Sequence, residues 1–64
     1  MTAAEVRRLR QAFGCTQEKF AQEMGVTFST VSRWENGHVA PSRLAVRRMR
    51  DLAAQHGVRL EVRA

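Results

Sequence analysis

The sequence has one cysteine, one proline, one tryptophan and no tyrosine. Because Cys15 stands alone, no disulfide can form within the chain, and a metal site built on paired cysteines is excluded. A domain without disulfides suits a reducing compartment. No apolar run approaches the roughly 18 residues of a membrane span, and the N-terminus lacks the apolar segment of a secretory signal. These absences predict a cytoplasmic protein that does not enter a membrane.

The charge is strongly unbalanced in favour of arginine. The 64 residues carry 11 basic and 6 acidic side chains, a net charge of +5, and Lys19 is the sole lysine. Arginine forms two-pronged hydrogen bonds with phosphates and base edges. A small basic domain therefore suggests a nucleic-acid partner. The alternative is a soluble domain that is rich in arginine because its genome is rich in GC.

Capping residues and apolar spacing predict four helices in one small domain. The predicted helices span residues 2–13, 17–24, 28–36 and 42–55. Thr2 and Glu5 form a capping-box pattern, while Thr16 and Thr27 stand where a helix N-cap is expected. Gly25 interrupts the pattern between the second and third helices, as a C-terminal cap would. The domain is predicted to occupy residues 1–57.

The apolar residues fall on one face of each predicted helix. Those expected in the core are Val6, Leu9, Phe13, Phe20, Met24, Val31, Trp34, Ala45, Met49 and Leu52. Leu44 and Ala53 are expected to point inward as well, and Thr27 is placed on the inner side of the third helix. Trp34 is interpreted as a core anchor rather than a platform for stacking bases.

The tail, residues 58–64, has a different pattern. Val58, Leu60 and Val62 alternate with charged residues, and this period of two indicates a β-strand. A lone strand in a helical chain could pair with its copy in a second subunit. The alternative is a frayed tail whose alternation is accidental.

The second and third helices have the features of a helix-turn-helix. Ala21 is small where two helices must cross closely, and Gly25 tolerates the positive φ of a tight turn. At about 100° per residue, the outer side of the third helix carries no acid near its centre, since Glu35 lies off it. Such a face suits a polyanion. Its residues are Phe28, Ser29, Ser32, Arg33 and Asn36.

The stretch "TQEKFAQEMGVTFSTVSRWENGHVAPS" resembles the helix-turn-helix of the lambdoid phage repressor and Cro family, also called the XRE family. The resemblance runs from about Val6 to Ala53 and rests on the pattern "TQ…A…GV…TVSRWENG…PS". It implies a compact, all-α, four-helix domain of the lambda-repressor type. The tail strand would be an addition to that fold.

The resemblance also implies roles for individual residues. It implies that base edges in the major groove are read by Phe28, Ser29 and Arg33. It implies that the DNA backbone is contacted, or the contact supported, by Gln17, Thr27, Ser32, Asn36 and Arg43. It further implies a structural pair, Arg10 and Glu35, that ties the first helix to the third.

Elementary chemistry supports some of these roles independently. Arg33 can bind guanine O6 and N7 together, which discriminates against other bases by about 1–3 kcal/mol. Ser29 and Ser32 can donate or accept, so they specify weakly. Phe28 departs from the usual polar residue at its position. It can contact a thymine methyl group, or else fold back over the second helix or cover a partner surface.

The remaining reactive side chains suggest no catalysis. His38 and His56 are far apart in the sequence and have no expected carboxylate or thiol neighbours, so we predict no metal site. Cys15 is expected to be a small buried hydrophobe, with redox sensing as the alternative. No nucleophile–base arrangement is present, and neither an enzyme activity, a cofactor nor a small-molecule ligand is predicted.

The sequence therefore predicts a regulator of transcription that binds double-stranded DNA, in the cytoplasm and associated with the nucleoid. It is expected to be a homodimeric repressor on a two-fold operator, without an effector domain. Two alternatives stay open. One is the antitoxin of a toxin–antitoxin pair, although the usual toxin-wrapping extension is not seen. The other is a protein-interaction module that has kept the fold and lost DNA binding.

Overall fold

A computed structural model describes residues 1–59 and contains four α-helices in that part of the chain. They are α1 (Ala3–Ala12), α2 (Gln17–Met24), α3 (Phe28–Glu35) and α4 (Arg43–His56). The all-α fold class is confirmed. Residues 60–64, and with them most of the predicted tail strand, lie outside the described residues. None of the helices within residues 1–59 is both long and apolar enough to cross a membrane.

Each helix begins at a hydroxyl residue that caps its first turn. Thr2, Thr16, Thr27 and Ser42 each accept a hydrogen bond from the backbone N–H three residues later, at 3.1–3.2 Å. These bonds satisfy donors that lack a partner inside the helix. In return, the Glu5 carboxylate accepts a hydrogen bond from the Thr2 backbone N–H at 2.7 Å. That bond lowers the pKa of the Glu5 carboxyl, since it favours the charged form.

The turn between α2 and α3 depends on Gly25. Its backbone lies in the left-handed region, with φ 74° and ψ 29°, where a Cβ would be strained. The Val26 N–H donates to the Ala21 carbonyl at 3.0 Å, and the Gly25 N–H donates to the Gln22 carbonyl at 3.2 Å. This bonding closes α2 and reverses the chain. As a result α3 begins at Phe28, directly after the turn.

One apolar cluster joins all four helices. Its buried members are Val6, Leu9, Phe20, Ala21, Met24, Val31, Trp34, Met49, Leu52 and Ala53. Helix α3 packs against both α1 and α2, and α4 packs against α2. Helix α3 is therefore held from two sides, which fixes the direction of its remaining face. After α4, Val58 folds back against this core and donates its N–H to the Ala53 carbonyl at 2.8 Å.

Two predicted core positions are wrong. Leu44 is 77% exposed, because at 100° per residue it lies about 140° around α4 from the buried Met49. Ala53, the other residue added to the inner face of α4, is buried as expected. Thr27 is exposed rather than inward, because as the N-cap of α3 it stands outside the helical repeat.

Candidate nucleic-acid interface

The outward face of α3 is polar except for one aromatic ring. Ser29 and Arg33 are exposed, and Phe28 is 53% exposed. Phe28 is not among the residues that pack against the core. One side of α3 is thus exposed to solvent. It carries Phe28 and Ser29 in the first turn and Arg33 in the last turn.

The opposite side of α3 is anchored. Val31 is fully buried and Trp34 is 5% exposed, which confirms Trp34 as a core residue. The helix contains one acid, Glu35, and this residue is buried rather than beside the outward face. The outward face therefore carries no negative charge of its own, as a surface that meets a polyanion requires.

Local hydrogen bonds join polar groups at both ends of this face. The Thr27 hydroxyl accepts the Thr30 N–H at 3.2 Å, and the two threonine hydroxyls lie 2.9 Å apart. Toward the other end, Asn36 Nδ2 donates to Ser32 Oγ at 3.3 Å. These contacts leave further donors and acceptors directed to solvent. The face is ordered, yet it retains hydrogen-bonding capacity for a ligand.

At the C-terminal end of α3, the Glu35 carboxylate accepts hydrogen bonds from side chains of two other helices. Arg10 Nε donates to Oε2 at 2.7 Å and Arg10 Nη2 donates to Oε1 at 3.1 Å. Gln17 Nε2, at the start of α2, donates to Oε1 at 3.2 Å. The hydrogen bond with Glu35 raises the pKa of Arg10. Gln17 thus supports α3 through Glu35 while lying half-buried at the N-terminus of α2.

Arg7 is a further member of this cluster that sequence reasoning missed. Its Nη2 donates to the backbone carbonyl of Glu35 at 2.8 Å, and its Nε lies 3.8 Å from Glu35 Oε1. Arg7 and Arg10 are three residues apart, so they share a face of α1. That spacing was a usable signal, since it places both arginines within reach of one partner group on a neighbouring helix.

Arg43 is the first residue of α4 and is exposed. The first turn of α4 contains no acid, and the positive end of the helix dipole adds to the charge of the guanidinium. Arg47, Arg48 and Arg50 are also exposed along α4. Arg48 donates to the Glu23 carbonyl at 3.1 Å and so helps to dock α4 on α2.

The surroundings of His56 correct a prediction. His56 Nε2 lies 3.4 Å from Glu23 Oε2, and its ring stacks on Phe13 with centroids 4.3 Å apart. The expectation that neither histidine has a carboxylate neighbour is therefore wrong for His56. Packing of α4 against α2 brings the two residues together. Within residues 1–59 no group of three or more His, Cys, Asp or Glu side chains is placed to hold a metal ion.

Cys15 lies beside the same Glu23 carboxylate that faces His56. It is half-buried rather than buried, and its Sγ lies 3.5 Å from Glu23 Oε2. Burial raises the pKa of the Cys15 thiol, and the hydrogen bond to Glu23 raises it further. The neutral thiol is therefore favoured, and neutral thiols are poor nucleophiles.

Comparison with known proteins gave one result. A family model described as "Helix-turn-helix" matches residues 6–62, which is most of the chain. No curated protein and no solved structure matched the chain. The matched region contains α2, the Gly25 turn and α3 in full.

Proposed function

The chain belongs to the helix-turn-helix family, in its Cro/C1-type (XRE) branch of DNA-binding transcription regulators, and from this premise we propose that it is a sequence-specific, dimeric repressor. The family is a regulatory family rather than an enzyme family. One observation carries the proposal. Helix α3 is anchored through Val31 and Trp34 while its other side presents serines, Arg33 and no acid to solvent.

In this proposal α3 lies in the major groove and reads bases with Phe28, Ser29 and Arg33. Arg33 binds guanine O6 and N7 through two parallel hydrogen bonds. Phe28 has no donor or acceptor in its side chain, and its exposed ring contacts a thymine methyl group. Ser29, beside it in the first turn, adds an adaptable hydrogen bond that discriminates weakly.

The DNA backbone is held by groups on both sides of this helix. Those proposed to contact phosphates, or to support such contacts, are Gln17, Thr27, Ser32, Asn36 and Arg43. Contacts of this kind set the register of the protein on the duplex and carry no sequence information themselves. The Arg10–Glu35 pair supports them indirectly, because it fixes α3 relative to α1 and to Gln17.

Repression follows from occlusion of a promoter by a dimer on a two-fold operator. Two copies of α3 then enter half-sites about one helical turn, or roughly 10 base pairs, apart. The proposed repressor needs no cofactor or small-molecule ligand and acts in the cytoplasm, on the nucleoid. Its partner is a second copy of the chain, with pairing of the tail residues 58–64 as the proposed route. In an alternative form of this function, the chain is an antitoxin that represses its own operon and also binds a toxin protein.

The first test is selection of bound duplexes from a random pool at moderate salt, followed by sequencing. We expect an enriched inverted repeat whose spacing defines the dimer. Enrichment without a motif would show binding by charge alone and would contradict specific readout. Absence of retained DNA would contradict the proposal altogether.

The dimer is tested separately by deleting residues 60–64 and measuring the mass in solution. This deletion spares Val58, which packs against the core. We expect the truncated chain to be a monomer if the tail pairs. A dimer that survives the deletion would move the interface onto the helices.

A second candidate function, a protein-interaction module, is favoured by one surface. Leu44 is 77% and Val39 43% exposed, and both line an open groove with Val26, Trp34 and Ala45. Exposed apolar side chains around a groove suit a protein ligand. This candidate predicts that the duplex selection retains nothing, whereas Leu44→Glu abolishes binding of the partner.

A further inference from the structure

The C-terminal end of α3 is held by an arginine that bonds its main chain. Of the three side chains that donate to Glu35, Arg10 and Gln17 reach the carboxylate. Arg7 instead donates from Nη2 to the backbone carbonyl, at 2.8 Å. The last carbonyls of a helix have no N–H to accept from within the helix. Arg7 therefore supplies, from α1, a hydrogen bond that α3 cannot supply itself.

The charge of Arg7 suits this place. The C-terminus of a helix carries a partial negative charge, which a nearby cation stabilises. Arg7 Nε is also 3.8 Å from Glu35 Oε1, so the guanidinium faces the helix end and the carboxylate together. Its side chain is 48% exposed, in contrast to Arg10, whose side chain is largely buried. Removal of Arg7 is therefore expected to affect the end of α3 while leaving the Arg10–Glu35 pair in place.

The turn that Arg7 holds contains the proposed guanine reader. The Arg33 carbonyl accepts the His38 N–H at 3.0 Å, and the Ser32 carbonyl accepts the Asn36 N–H at 2.9 Å. These bonds and the Arg7 bond together define the end of α3. Its beginning, with Phe28 and Ser29, is fixed independently by the Thr27 cap. The two ends of the reading face thus have separate supports.

We propose that Arg7 is a positioning residue for base recognition: its bond to the Glu35 carbonyl holds the last turn of α3, and thereby Arg33, in the pose that reads one base pair. The inference rests on the proposed function and deepens it. It assigns discrimination at the Arg33 base pair to a contact made on α1, whereas discrimination at the base pairs read by Phe28 and Ser29 does not depend on Arg7.

The test compares Arg7→Met with Arg7→Lys and a matched control, Arg8→Met. Arg8 is the next residue of α1, is exposed, and makes no hydrogen bond or ion pair within residues 1–59. Each variant is titrated with the selected duplex and with duplexes that carry one substituted base pair each. The Arg33 base pair is the position at which Arg33→Ala loses its preference. Unfolding in urea shows whether each variant is folded under the conditions of the titration.

We expect Arg7→Met to lose preference at the Arg33 base pair by at least about five-fold, since a good two-pronged contact discriminates by about 5- to 150-fold. Preferences elsewhere and the salt dependence should stay unchanged. Arg7→Lys should fall between Arg7→Met and the wild type, and Arg8→Met should match the wild type. An equal loss at every base pair, with a shallower salt dependence, would make Arg7 a phosphate contact and overturn the inference. Unchanged preferences in Arg7→Met would overturn it too.

Amide hydrogen exchange of the DNA-free protein separates this inference from the proposed function. If the wild type selects no motif, the proposed function fails, but the effect of Arg7 on the last turn of α3 can still be measured. Faster exchange at Asn36, Gly37 and His38 in Arg7→Met than in Arg8→Met would show that Arg7 stabilises the end of α3. Equal exchange in the two variants would overturn it.

Discussion

Arg10 and Glu35, 25 residues apart in the sequence, form a two-pronged ion pair between α1 and the end of α3. Nε lies 2.7 Å from Oε2 and Nη2 lies 3.1 Å from Oε1. The Glu35 side chain is 2% exposed and that of Arg10 is 16% exposed. Glu35 is the one charged residue buried among residues 1–59, so its charge must be matched inside the protein. The pair therefore ties the end of the proposed recognition helix to α1.

Arg10→Met should destabilise the fold by about 3 kcal/mol, because breaking one side of a buried pair leaves an uncompensated charge. Gln17 and Arg7 remain near Glu35 and keep the loss at the lower end of the usual range. Urea unfolding measures the loss. The double variant Arg10→Met with Glu35→Met should recover most of it, since no charge is then left buried. A single variant as stable as the wild type would contradict this account.

Arg33→Ala should relax selection at one base pair of each half-site by about 1–3 kcal/mol. The reason is that the guanidinium has no other partner within residues 1–59 and faces solvent. Competition titrations with single-substituted duplexes measure the change. Arg47→Ala, an exposed arginine on α4, serves as the control and should leave the preference intact. An unchanged operator preference in Arg33→Ala would remove Arg33 from the readers.

Arg43→Ala should weaken binding to all duplexes alike and reduce the slope of log K against log salt by about one. Such a uniform effect is typical of a phosphate contact, which releases counterions and reads no base. Arg50→Ala, farther along the same helix and also exposed, is the control of equal charge. A loss confined to one base pair would refute the role of Arg43.

Gly25→Ala should cost about 1–2 kcal/mol of stability, because an L-residue is strained in the left-handed region. The expected cost is purely conformational, since an added Cβ would meet no atom within 4 Å. Gly25→Asn should cost less, because asparagine tolerates this conformation better. Thermal unfolding of both variants measures the difference. Equal losses for alanine and asparagine would show that backbone strain is not the cause.

The Cys15 thiol should react slowly with iodoacetamide near pH 8 in the folded protein and faster in urea. Burial, followed by the bond to Glu23, raises the pKa of the folded thiol above its ordinary value, and the thiolate is the reactive form. The neutral thiol therefore adds stability below the ordinary thiol pKa, and this is lost as the pH rises through the raised value. Glu23→Gln should shift the profile of rate against pH partly back. Identical profiles for folded and unfolded chains would contradict the prediction.

The four helices and their ends could be predicted because their signals are local. A cap such as Thr16 bonds the backbone three residues away, and Gly25 acts on its own dihedral angles. The same periodicity placed Val31 and Trp34 inward and the polar residues of α3 outward. The prediction for Leu44 is wrong because it follows the apolar character of the side chain, whereas the helical repeat places Leu44 about 140° around α4 from Met49 and so in solvent.

The interface could be predicted only as a face. Periodicity and the family resemblance selected Phe28, Ser29 and Arg33, and the structure exposes all three, while their contacts with DNA stay a prediction. The support behind that face was harder to predict. Arg7 was missed, and the half-burial of Cys15 and the pairing of His56 with Glu23 were not foreseen. Each of these contacts joins residues from different parts of the fold.

The sequence by itself determined where the helices begin and end, which face of each is apolar, and that the chain is a basic helix-turn-helix domain. Caps, glycines and apolar spacing act within one or two turns, so they can be recognised without the fold. The tertiary structure alone decided that Glu35 is buried, that Arg7 holds the end of α3, and that Glu23 meets both Cys15 and His56. These contacts depend on how each helix is rotated and docked, which the packing of the whole core sets.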